Sequence, residues 1–132
     1  MVGVILPGAA LTLGGPPPPG RRLLDAGVTV AIATDCNPGT SNAESMPLMI
    51  SLAVALAGLT PTEALLAATS GGAAALELGD RGVLEVGARC DIAILDTDRW
   101  LDIAYHLGSG GVRATIRAGE VIAAADTVIG AA

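Results

Sequence analysis

Residues 34–45 read TDCNPGTSNAES, the run of this chain richest in groups able to do chemistry. The carboxylate of Asp35 can ligate a hard or borderline cation or take up a proton. Asn37 offers donor and acceptor together, Gly39 allows a close backbone approach, and Thr40 adds a hydroxyl. The same residues also suit an Asx-type turn, with Asn37-Pro38 as punctuation and a Ser or Thr capping the next helix. Judged from residue types and spacing, the two readings stand level. Cys36 has no basic neighbour in sequence to activate its thiol and reads as small, buried or half-buried filler, as does Cys90. The one histidine, His106, reads as a surface or packing residue, and Trp100 with Tyr105 as the core of a small β module.

A loop of this kind needs a rigid mount. In parallel α/β folds, ligands bind at the carboxyl ends of strands. Residues 2–6 and 28–33 are β-branched apolar runs with almost no polar alternation, as strands covered on both faces are. Between them, GGPPPPG at residues 14–20 is a stiff surface loop, and RRLLDA at 21–26 is a short helix stopped by Gly27. The polar loop thus leaves the carboxyl end of the second strand of a βαβ unit. A helix follows, with Met49, Leu52, Ala53 and Leu56 at helical spacing up to Gly58. Thr60, Pro61 and Glu63 then predict a capping box at the start of another helix. Ser70 is expected to cap a third over residues 71–78.

After Gly79 the composition changes to short strands between glycines, at residues 83–86, 91–95, 112–117 and 121–124. Val112, Ala114 and Ile116 alternate with Arg113, Thr115 and Arg117, the pattern of a half-exposed antiparallel strand. Ala118-Gly119-Glu120 predicts a three-residue hairpin loop.

Composition removes several classes. The chain has 132 residues, 52% of them hydrophobic, which is ample for a core and argues against disorder. It contains no Phe and no Lys, and its net charge is -6, so no basic stripe is available for nucleic acid. Two distant cysteines predict neither a disulfide framework nor a cysteine metal site, and a reducing cytoplasm is expected. Residues 1–6 lack the basic start of a signal peptide, and the longest apolar run, 46–59, is too short for a bilayer. No membrane partner is therefore expected.

Four stretches carry a resemblance. AIATDCNPGTSNAES is similar to the imidazolonepropionase signature, in which a metal-ligating Asp closes the last barrel strand. LTPTEALLAATSGGAAALEL, GVLEVGARCDIAILD and RAGEVI resemble the segments that end many metal-dependent amidohydrolases, so the likeness runs over residues 4–122. The resemblance implies an α/β fold. Residues 1–79 would be the last strands and helices of a TIM-like (β/α)8 barrel, and residues 80–132 part of an accessory β-sandwich. It further implies that Asp35 binds a zinc or iron ion and shuttles a proton, that Asn37 and Gly39 contact the ligand, and that Thr40 contacts the substrate.

The implied reaction is hydrolysis of the cyclic amide of 4-imidazolone-5-propanoate to N-formimidoyl-L-glutamate, a step of histidine degradation, in a homodimeric enzyme. The alternatives are another cyclic amidase or deaminase of the superfamily, or a non-catalytic remnant. The family's other metal ligands are a His-x-His pair on the first strand and a further His on a middle one, and no such residues occur here. A complete barrel needs roughly 250 residues. The chain is therefore expected to be a carboxyl-terminal portion, inactive alone.

Overall fold

The computed structural model describes residues 1–108 and 111–125. Strands β1 (Val2–Ile5) and β2 (Thr29–Ile32) pair in parallel, from Val2 opposite Thr29 to Ile5 opposite Ile32. The apolar residues of β2, Val30, Ala31 and Ile32, are all buried, and only Thr29 is exposed.

Helix α1 (Pro7–Leu13) follows β1 directly. The sequence predicts only a strand stop at Pro7-Gly8. The stop is also a helix start, because proline at the first helical position lacks only an N–H that would have no partner. The missing polar cap at Leu6 explains why the helix leaves no signal in the sequence. The prolines of 16–19 lead along the surface into α2 (Gly20–Asp25), and Gly27, with φ 75°, turns the chain into β2.

Helix α3 (Met46–Ala57) is the centre of the core. Ser45 caps it by accepting the Leu48 N–H at 3.3 Å, and Gly58 ends it in the left-handed conformation. Met49 and Ala53 are fully buried and meet Ile5, Val30 and Ile32 from the sheet. With no Phe to fill space, Ala53, Ala64 and Ala67 let the helices approach closely.

Helix α4 (Pro61–Ala68) begins with the expected capping box. The Glu63 carboxylate accepts the Thr60 N–H at 2.8 Å and both contacts of the Arg21 guanidinium at 2.9 Å. The Thr60 amide and then Arg21 hold the Glu63 carboxyl below the usual carboxylate range. A carboxyl lowered in the folded state contributes stability that is present above its unfolded pKa and fades as pH falls through the folded one. Glu63→Gln is therefore expected to lower the melting temperature at neutral pH and to flatten its decline below about pH 4. Thr60→Ala, which removes the cap itself, is expected to cost about 1 kcal/mol. Thermal unfolding followed by circular dichroism from pH 7 to pH 3 reads both; parallel pH curves for Glu63→Gln and the parent would contradict the assignment.

Helix α5 (Ser70–Ala75) is shorter than expected. Ser70 does not cap it: its hydroxyl donates back to the Leu66 carbonyl at 3.2 Å, on the helix before. A positive φ of 56° at Glu77 turns the chain away before residue 78.

Beyond this layer, β3 (Ile92–Leu95), β4 (Val112–Arg117) and β5 (Glu120–Ala124) form an antiparallel sheet in that order. Residues 83–86 are not a strand; Gly82 and Gly87, both at positive φ, bound an irregular segment. The β4-β5 hairpin turns on two residues, not three: Arg117 pairs with Glu120, and Ala118 and Gly119 both have positive φ, as a type I′ turn requires. Nor does β4 alternate in burial as its residue pattern suggests, since residues 114–116 are all half-buried. Asp91 accepts the Ala118 N–H at 2.8 Å and so pins this turn to the start of β3.

Between β3 and β4 the chain returns to the first layer. Helix α6 (Asp102–Tyr105) packs on α3, with Ile103 buried in the core and its carbonyl accepting the Ser51 hydroxyl at 3.0 Å. Burial of Ile103 leaves Trp100 and Tyr105 on the outside, 46% and 78% exposed, so they are not the core expected of them. Tyr105 instead stacks edge-on against the exposed His106. No helix among the described residues is long and apolar enough to cross a membrane.

Candidate functional site

The β1-β2 ladder ends with the Ala33 N–H bonded to the Ile5 carbonyl at 3.2 Å. Two residues later Asp35 has φ 49°, a left-handed conformation that Asp tolerates better than most side chains. The chain reverses there, and Asp35 is exposed at the carboxyl end of β2.

Asn37 organises the rest of the loop. Its Oδ1 accepts the Gly39 and Thr40 N–H groups at 2.9 and 2.8 Å, and its Nδ2 donates to the Asp35 carbonyl and, at 2.8 Å, to Thr40 Oγ1. Its own N–H donates to the Ser41 carbonyl at 2.9 Å. The Asn37 side chain thus spends its full donor and acceptor capacity inside the loop. The expected Asx-type turn forms, and it brings Asp35, Asn37, Gly39 and Thr40 together. The Thr40 hydroxyl lies 3.3 Å from Asp35 Oδ2, and Oδ1 accepts no hydrogen bond among the described residues. Gly39 is exposed; its N–H is taken by Asn37, and its carbonyl accepts no hydrogen bond among the described residues.

Cys36 and Cys90 are both exposed, not filler. The reversal at Asp35 turns position 36 outward, and position 90 lies in irregular backbone before β3. Residue types alone could not weigh two further contributors, Ser41 and Gly8. Ser41 is 1% exposed, and its hydroxyl donates to the Thr34 carbonyl at 2.7 Å. It sits against Gly8 in the first turn of α1, the helix that has no signature in the sequence.

His106 borders a shallow cleft with Asp96, Thr97 and Asp102, and Asp35 is not part of its lining. Among the described residues, no three His, Cys, Asp or Glu side chains gather as a metal site. Asp35 fits one position of such a site, being an exposed carboxylate with an unengaged oxygen. It does not fit as a whole site, since catalytic zinc takes three protein ligands.

The chain belongs to the amidohydrolase family, whose model matches residues 18–122. It is 52% identical over 118 residues to the imidazolonepropionase of Salinispora arenicola (strain CNS-205), an alignment covering 89% of this chain and 30% of that protein. The imidazolonepropionase of Deinococcus deserti gives the same identity and the same two shares. The chain therefore spans about a third of the length of these relatives. Among solved structures it is similar to an adenosine deaminase from Xanthomonas campestris with bound zinc, with TM-score 0.81 and 29% identity. That match covers 91% of this chain and 31% of the deaminase.

Proposed function

We propose that this chain supplies the last strand, the Asp35 loop and the following helices of an imidazolonepropionase. In this reading residues 1–79 complete a (β/α)8 barrel and residues 80–132 contribute to an accessory β-sandwich. The identity of about half over nearly the whole chain to two imidazolonepropionases is the observation that carries it. The reaction adds water across the ring amide of 4-imidazolone-5-propanoate. Hydroxide joins the carbonyl carbon, the C–N bond breaks, and the proton goes to the departing nitrogen, giving N-formimidoyl-L-glutamate.

Asp35 would provide one ligand to a zinc or iron ion, the others coming from the rest of the complete protein. Such an ion supplies a water acidified to a pKa of about 7 and polarises the carbonyl. The Asp35 carboxylate would also take the water's proton and pass it to the ring nitrogen. Asn37, its polar atoms committed within the loop, would keep it in shape, and Gly39 and Thr40 would present the surface that the substrate or product meets. Because turn and ligand surface share atoms, the surface is ordered before substrate arrives.

A deaminase reading has the adenosine deaminase likeness in its favour. Assay of the complete protein on 4-imidazolone-5-propanoate and on adenosine separates the two. Turnover of the first alone is expected; turnover of adenosine alone would replace the proposal. The 132-residue chain expressed by itself is expected to turn over neither, with or without added zinc. Metal-dependent hydrolysis by the isolated chain would show that it holds a full set of ligands after all.

A further inference from the structure

Past the end of the β1-β2 ladder, the Thr34 carbonyl receives no backbone N–H among the described residues. The Ser41 hydroxyl takes that place, donating at 2.7 Å. The Ser41 carbonyl meanwhile accepts the Asn37 N–H, so residues 34–41 are tied at two points on either side of Asp35 and its reversal. Ser41 is wedged from below. A Cβ built on Gly8 would lie 2.8 Å from Ser41 Oγ and 3.0 Å from the Met49 methyl, and Met49 is fully buried in α3. The hydroxyl thus lies beside the first turn of α1 and the core helix, where a side chain at position 8 would crowd it.

From this arrangement we infer that Ser41, seated against Gly8, is the positioning residue that sets the place of the Asp35 carboxylate. This rests on Asp35 being a metal ligand. Ser41 does not meet the substrate; it replaces the strand hydrogen bond that ends one residue too early. Groups that orient a ligand from behind typically change metal affinity by about 10–100-fold when removed.

The test uses the complete enzyme, with zinc affinity measured by competition against a chelator and kinetics on 4-imidazolone-5-propanoate. Ser41→Ala is expected to weaken zinc binding by about 10–100-fold and to lower kcat with KM little changed. Ser51→Ala is the control: it removes a buried hydroxyl that also donates to a carbonyl, from Ile103, but away from the loop. It should lower stability without moving zinc affinity. Gly8→Ala keeps the hydroxyl and crowds it, and is expected to act as Ser41→Ala does. Zinc affinity within about twofold of the parent in Ser41→Ala overturns the inference, as does an equal loss in Ser51→Ala. Should Ser41→Ala fail to fold, Gly8→Ala decides by the same criterion. Asp35→Asn separates the two levels. If it keeps full zinc affinity, the metal-ligand reading falls and this inference with it. If it loses zinc while Ser41→Ala does not, the role of Ser41 alone falls.

Discussion

Asparagine in place of Asp35 is expected to lower kcat/KM of the complete enzyme by on the order of a thousandfold, about 4 kcal/mol of transition-state stabilisation. The substitution isolates the chemistry from the fold. Asparagine has the same shape and tolerates the positive φ of 49° at this position. It can still accept the Thr40 hydroxyl, so the turn built by Asn37 should persist. What disappears is the negative charge and the oxygen able to take a proton. Because Asp35 is exposed, stability should stay within about 0.5 kcal/mol of the parent. The pair of measurements is steady-state kinetics and thermal unfolding. An Asp35→Asn enzyme with near-parental turnover would remove Asp35 from the reaction. One that lost activity and stability together would make it a fold residue.

The second large effect is structural and lies at two neighbouring glycines of α5. A Cβ on Gly71 would stand 2.1 Å from the Val30 carbonyl oxygen, inside the backbone of the strand that carries the site. Neither partner is a flexible side chain, so α5 would have to move off β2. Gly71→Ala is expected to destabilise by about 1–3 kcal/mol, towards the upper end because backbone meets backbone. Gly72 is different. A Cβ there would find nothing closer than the Ala67 carbonyl at 4.0 Å. Gly72→Ala should therefore stabilise, by about 0.4–1 kcal/mol, through the lower entropy of the unfolded chain. Urea midpoints for the two variants are expected on opposite sides of the parent. Two shifts of the same sign would mean that helix propensity, and not the approach to Val30, governs this helix.

Local rules make much of this molecule legible in its sequence. The largely apolar run before Thr34 marks β2, and Thr60, Pro61 and Glu63 mark the start of α4, because in each case adjacent residues carry the signal. The Asp35 loop is visible for the same reason: Asn37 forms the Asx-type turn, and that turn gathers the residues of the proposed site. The features that stay hidden depend on partners far along the chain. Ser70 is a nearer case: it looks like a cap, but its hydroxyl donates to the Leu66 carbonyl four residues before it. Trp100 looks like core until Ile103 fills the space beside α3. Residues 83–86 have strand composition, but none of the described strands pairs with them. Gly8 shows its purpose only when Ser41, from a distant loop, rests against it.

The bond from Ser51 to Ile103 has a consequence in time. Its two ends are 52 residues apart, so at the usual 5–20 residues per second the ribosome makes one roughly 3–10 s after the other. During that interval α3 exists without the side chain that finishes its packing, and the apolar groove that Ile103 will fill stands open. The packing of α3 is therefore completed only by a residue made 52 positions after Ser51.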